Sequence, residues 1–287
     1  MRIRVVLAVF AALAVIAGAG IYIAVRSLGN GLPLHLVTQQ CIVNADGKAT
    51  LEPEQMANAA TIAAVGIRRG LPTQAMVVAL AAALQESKLQ NLSGGDRDSI
   101  GLFQQRPSQN WGTPQEIANP RYAAGAFYTA LLRVKGWQTK SVADAAQAVQ
   151  RSADGSAYGQ WVYEAQILAK ALSGDVSDAV ACTITDPPAE RGPAAAGSLA
   201  QSVAADWGEV DTVTDNSLPG LELTVNQIPN GWQFAHWLVA HAADQNIKSV
   251  RFGDEEWTAK AGTWGRSSGN RTVAAGDRVV AEVYSQS

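Results

Sequence analysis

Apolar positions change their spacing along the chain, and each spacing predicts a different element. Residues 5–25 form a run of 21 without a charge, long enough to cross a bilayer as a helix. Farther on, alanine-rich periodicity predicts helices over 53–69, 73–86, 115–133, 141–151 and 157–172, with Pro53 and Pro114 suited to first turns and Ser141 to a cap. The glycine- and proline-containing stretch 91–113 reads as a long loop between helices. Residues 183–197, rich in proline, alanine and glycine, read as a linker. Beyond it, 231–246 has the amphipathic pattern of a helix, carried by Trp232, Phe234, Ala235, Trp237, Leu238 and Val239. Residues 248–252 and 278–284 read as strands.

This pattern divides the chain into a membrane anchor (1–32), a mostly helical domain (33–182), a linker (183–197) and a small α+β module (198–287). A length of 287 residues with 47% hydrophobic content leaves room for two compact domains, and the net charge of -3 gives no support to a nucleic-acid partner. Arg2, Arg4 and the terminal amine precede the apolar run and only Arg26 follows closely, predicting a single-pass membrane protein with a cytoplasmic N-terminus and an extracytoplasmic body. Ala17-Gly18-Ala19 offers a small-residue cleavage site, so a secreted form is the alternative, but the apolar run continues past it.

Export also permits a disulfide. Cys41 and Cys182 bracket the helical domain, and their spacing fits no zinc or redox motif. Pairing them would close a very long loop; two unpaired buried thiols are the alternative.

One carboxylate stands out. The segment from Pro72 runs through an apolar, alanine-rich stretch and places Glu86 at the C-terminus of its helix, where the macrodipole disfavours negative charge. Apolar neighbours act in the same direction. A carboxyl group whose ionised form is penalised suits a general acid acting on a glycosidic oxygen. Asp96 and Asp98, in a glycine-flanked turn, are the nearest candidates for a second carboxylate, although aspartates in such turns commonly serve local hydrogen bonds. Gln104 and Gln105 carry amides able to hydrogen-bond sugar hydroxyl and acetamido groups. Trp111, Trp137 and Trp161 read more readily as core residues than as sugar platforms, and the sequence does not separate the two uses.

Glu86-Ser87 followed at a fixed distance by Gly101-Leu102-Phe103-Gln104 resembles the signature of the lysozyme-like lytic transglycosylases. The stretches 94–99 and 106–112 look like an actinobacterial branch of that superfamily. The resemblance covers roughly residues 41–182 and implies a mostly helical, lysozyme-like fold with a glycan cleft beside Glu86. It implies Glu86 as the catalytic acid and base, no cofactor, and substrate contacts from Ser87, Asp98, Gln104, Gln105 and Gln150. The partner it implies is the peptidoglycan glycan strand. Two positions depart from the family: Gly95 stands where many members have serine, and Ala148-Val149-Gln150-Arg151-Ser152 stands in place of Ala-Tyr-Asn-Ala-Gly. Gln150 could take the asparagine's polar role, and Tyr158 and Trp161 follow on the next expected helix.

The second module looks like a C-terminal domain of actinobacterial cell-wall proteins related to metal-dependent peptidoglycan peptidases. The resemblance rests on Asn230-Gly231-Trp232, on 237–242, on the strand after Ile247 and on Trp257. Metal-binding relatives have histidines in two segments that here read Leu218-Pro219-Gly220-Leu221-Glu222-Leu223-Thr224 and Asp277-Arg278-Val279-Val280. No metal site is expected. His236 and His241, five apart on one helix, are expected as packing or surface residues.

Together these features predict a membrane-anchored enzyme that cleaves peptidoglycan glycan strands, by a transglycosylase route or by a lysozyme route needing a second carboxylate. A wall-binding or assembly protein that keeps the cleft without turnover is the alternative.

Overall fold

The computed structural model describes residues 39–151, 155–213, 219–267 and 277–286. The expected membrane span at 5–25 lies outside them, and among the described residues no helix is long and apolar enough to cross a membrane.

Alternating burial in β1 (Gln40–Asn44) and β2 (Lys48–Leu51) turns Cys41, Val43, Ala49 and Leu51 inward. The distant strand β3 (Val180–Thr183) pairs antiparallel with the other edge of β1, so the sheet order is β2-β1-β3 and Cys41 sits opposite Cys182. These two fully buried cysteines are joined as a disulfide across a sequence separation of 141.

Helix α1 (Pro53–Arg68) starts with Pro53 in its first turn and a capping box in which the Glu52 backbone N–H donates to Gln55 Oε1 at 2.8 Å. Helix α2 (Thr73–Ser87) is buried on nearly every side because Ala75, Ala79, Ala81, Ala82 and Ala83 leave no polar face. It ends where Lys88 and Leu89 turn left-handed (φ 57° and 61°), their backbone N–H groups donating to Leu84 and Ala83. The expected helix over 115–133 is two helices, α3 (Pro114–Ile117) and α4 (Pro120–Arg133). Pro120 keeps Asn119 out of helical geometry, and the Asn119 side chain caps the new helix by accepting from the Arg121 N–H at 3.0 Å. Helix α5 (Val142–Gln150) begins under a Ser141 cap, and α6 (Val162–Leu172) is preceded by a 3-10 helix, Gly155–Trp161, where one continuous helix was expected. Helices α5 and α6 pack on α2, and α4 packs on α1.

The end of the expected linker, from 192 to 197, is helical. Pro193 opens α7 (Gly192–Trp207), which buries Ala195, Leu199 and Val203. Strands β4 (Thr212–Val213), β5 (Gly220–Thr224), β6 (Ile247–Phe252), β7 (Glu255–Thr258), β8 (Trp264–Arg266) and β9 (Arg278–Val283) form an antiparallel six-stranded sheet in the order β4-β5-β9-β6-β7-β8. Helix α8 (Ile228–Ala240) covers it, starting three residues before the expected 231 and ending well before 246. The architecture is therefore mixed helix and antiparallel sheet, and 38–287 form one compact unit.

Buried polar contacts join the two expected domains. Asp206 at the end of α7, fully buried, accepts from Thr61 Oγ1 of α1 (3.0 Å) and Trp237 Nε1 of α8 (2.8 Å), and pairs with Arg121 of α4. A buried carboxylate needs several such partners. His236 is fully buried, with Nε2 accepting from the Ala179 N–H at 3.0 Å and Nδ1 2.8 Å from the Ala171 carbonyl. Because a backbone N–H can only donate, the proton of the neutral ring sits on Nδ1. His241 is also buried, between Thr61 (3.3 Å) and Asp244 (3.0 Å).

Candidate active site

Glu86 is the penultimate residue of α2, half-buried, and lines a cleft of about 1490 Å³. Its Oε1 accepts a hydrogen bond from the fully buried Tyr158 hydroxyl at 2.6 Å. Tyr158 comes from the 3-10 helix before α6, so the turn that interrupts the expected helix is also what brings the phenol to the carboxylate. Among the described residues, Oε2 has no hydrogen-bond partner.

The motif loop is held against the end of α2 by its own carbonyls. Ser87 Oγ donates to the Leu102 carbonyl at 2.8 Å and to the Ala83 carbonyl at 3.1 Å, while Gln150 Nε2 donates to the Phe103 carbonyl at 2.8 Å. The apolar motif residues anchor the loop from beneath: Leu102 and Phe103 are buried, and Phe103 stacks on Phe127 of α4 at 4.7 Å between centroids. Gly101 is required here, since its φ is +77° and a Cβ would lie 2.7 Å from the Ile117 carbonyl oxygen.

Each expected site residue has a definite place. Ser87 is buried and does not line the cleft; it fastens the loop. Gln104 lines the cleft, but its amide is engaged within the loop, Oε1 accepting from Ser99 Oγ at 2.9 Å and Nε2 donating to the Gly101 carbonyl at 3.1 Å. Gln105 is 2% exposed, with Nε2 donating to the Ala123 carbonyl and Oε1 buried without a partner among the described residues. Gln150 lines the cleft and ties α5 to the loop. Gly95 also has a local reason, because a Cβ there would lie 1.7 Å from Gln104 Oε1 and 2.5 Å from Ser99 Oγ. The space a side chain at position 95 would take is filled by the Ser99–Gln104 pair.

The two aspartates differ. Asp98 is clamped: the Ser108 backbone N–H (2.8 Å), the Arg106 guanidinium (2.6 Å) and the Ser108 hydroxyl (3.0 Å) all donate to it and hold its carboxyl well below the usual carboxylate range. It does not line the cleft. Asp96 does, and is exposed, with Arg97 at 3.8 Å.

The tryptophans separate as well. Trp111 lines the cleft beside Tyr122, whose hydroxyl donates to its carbonyl at 3.2 Å, whereas Trp137 is core. Trp161 donates from Nε1 to Gln85 Oε1 at 2.8 Å and carries the Lys88 ammonium over its ring at 3.9 Å. Partial desolvation pushes Lys88 below its usual range against the attraction of Glu164 and Glu86, and burial raises Glu164.

Sequence reasoning missed the cleft floor. One face of α4, from Tyr122 through Gly125, Ala126, Thr129 and Ala130 to Arg133, runs along it for about 16 Å at 1.5 Å per residue. Its spacing follows the helical period, a signal present in the sequence but assigned to no surface. Among the described residues, no group of three or more His, Cys, Asp or Glu side chains is placed to hold a metal ion. No protein-family model matches the chain, and neither does any curated protein.

Proposed function

We propose that the chain cleaves the glycan strands of peptidoglycan, with Glu86 as general acid and then general base on a lysozyme-like scaffold. The observation that carries this reading is Glu86 at the edge of an extended cleft, with Oε1 held by Tyr158 and Oε2 unpartnered among the described residues. Held this way, the carboxyl keeps one orientation and Oε2 is the oxygen left to pass a proton to the substrate. Glu86 donates that proton to the oxygen between N-acetylmuramic acid and N-acetylglucosamine, and the C1–O bond breaks. The resulting carboxylate takes the proton of the muramic C6 hydroxyl as O6 bonds to C1, giving a 1,6-anhydro end with no water consumed.

The disposition of the aspartates favours this route over hydrolysis. An inverting enzyme needs a second carboxylate roughly 6.5 to 9.5 Å away, free to activate water. Asp98 is committed to Arg106 and Ser108, and Asp96 is an exposed group beside Arg97. The C-terminal sheet and its helices serve as a packed binding or spacing module, and residues 5–25 anchor the body outside the cytoplasm.

The test is incubation of the full-length chain and Glu86→Gln with purified peptidoglycan, followed by mass spectrometry of the released fragments. Anhydro ends from the wild type and none from the variant are expected. Hydrated reducing ends would replace the transglycosylase route with hydrolysis. Binding without release by the wild type would leave a recognition protein.

A further inference from the structure

The cleft holds more positive charge than glycan cleavage uses. Five arginines line it, Arg69, Arg97, Arg106, Arg133 and Arg151, against the two carboxylates Glu86 and Asp96, in a chain whose net charge is -3. Two of the five have acidic neighbours, Arg106 with Asp98 at 2.6 Å and Arg97 with Asp96 at 3.8 Å. Arg69, Arg133 and Arg151 have no carboxylate within 4 Å among the described residues.

Arg69 is fixed in place. Its Nη1 donates to the Gly125 carbonyl and its Nη2 to Thr129 Oγ1 at 3.1 Å, so the guanidinium lies on the α4 floor with its side-chain freedom already spent. Such a cation pays little further entropy on meeting an anion.

Gly125 supplies an independent observation. Glycine inside a helix is about 1 kcal/mol less favourable than alanine, yet Gly125 sits within α4 and outside the positive-φ residues. A Cβ built on it meets no protein atom within 4 Å. Neither packing nor backbone conformation calls for glycine there. Gly125 lines the cleft, and its own carbonyl accepts from Arg69.

We propose that the α4 floor is an anion subsite. A carboxylate or phosphate group covalently attached to the bound glycan is held by Arg69, with Arg133 and Arg151 supplying further charge, and Gly125 leaves room for the substituent. The cleft therefore selects acidic glycans over uncharged N-acetylglucosamine polymers. This rests on the reading of the cleft as a glycan site, but not on turnover.

The experiment measures binding by calorimetry to full-length Glu86→Gln, so that no probe is consumed. The probes are soluble peptidoglycan chains with free carboxyl groups, the same chains with those groups amidated, the N-acetylglucosamine hexamer, and phosphate-bearing polymer released from the wall. Free-carboxyl chains should bind about tenfold or more tightly than amidated chains or hexamer. Arg133→Gln and Arg151→Gln, both at exposed positions, should together reduce that preference and flatten the salt dependence. Gly125→Leu should weaken binding with no loss of melting temperature. Preference for the phosphate polymer alone would support the subsite and assign the anion to phosphate. Equal affinity for free and amidated chains with no preference for the phosphate polymer, or arginine variants that weaken every probe alike, would overturn it. Charge-selective binding by a chain whose wild type releases no fragments would leave this inference standing and remove the proposed catalysis.

Discussion

The Tyr158 hydroxyl donates to Glu86 Oε1 at 2.6 Å across a sequence separation of 72. Tyr158→Phe keeps the buried ring and removes only this donor. In the proposed reaction this bond strengthens as Glu86 gives up its proton; a hydrogen bond to a charged group is worth roughly 1.5 to 3 kcal/mol, so kcat for the proposed glycan release should fall about 10- to 100-fold. KM should change little, because the phenol holds the carboxyl and does not line the cleft. Steady-state kinetics on soluble glycan chains separates the two constants, and a changed KM with unchanged kcat would contradict this role.

Gly95 and Gln104 should couple. A Cβ at position 95 meets the Gln104 amide, so Gly95→Ala must push that side chain off Ser99. The expected loss is about 1 to 2 kcal/mol in urea unfolding. In a Gln104→Ala, Ser99→Ala background both obstructing groups are gone, and Gly95→Ala should then be neutral. Additive losses in that mutant cycle would mean that the contact is not the reason for the glycine.

His236 should make stability depend on pH. Burial depresses its pKa from 6.5 to about 4, with only partial compensation from the Ala171 carbonyl. Between those values the unfolded chain binds the proton and the folded chain does not, so this contribution is complete above about 6.5 and lost as pH falls toward 4. The loss is on the order of 3 kcal/mol at 1.36 kcal/mol per unit. Urea unfolding of wild type and His236→Gln at pH 7.5, 5.5 and 4.5 should show a shallower decline for the variant, and identical slopes would refute the assignment.

The disulfide should be a major source of stability. With a sequence separation of 141 between Cys41 and Cys182, the chain-entropy relation gives roughly 4 to 5 kcal/mol. The double variant Cys41→Ala, Cys182→Ala should lose that amount relative to the oxidised wild type in denaturant unfolding. A difference below about 1 kcal/mol would show that the unbridged chain is already constrained in its unfolded state.

The sequence was most legible where structure is local. Pro53, Pro72 and the alanine runs place α1 and α2 to within a residue or two because caps and periodicity act over a few positions. The sheet β2-β1-β3 was not legible, since its strands are only 4–5 residues long and β3 pairs with β1 from the far end of the domain. Helix α7 was hidden by composition: a proline, alanine and glycine run suits a linker, yet Pro193 suits a first helical turn and Leu199 and Val203 supply the buried face. Glu86 stood out because its position on α2 follows from one helix alone. Gln104 points its amide into its own loop because Gly101 turns the chain left-handed, which its residue type could not reveal. The arginines of the cleft lie on separate elements, so only the folded chain gathers them.

The bridge between Cys41 and Cys182 also determines how the protein responds to being pulled. Tension between the chain preceding Cys41 and the chain following Cys182 passes through two sulfur atoms and by-passes everything between them. Helices α1 to α6, the motif loop and the Glu86–Tyr158 pair all lie inside that closed loop. If the two ends are held by different supports, such as a bilayer and a growing wall, the cleft keeps its geometry while the flanking segments take up the strain.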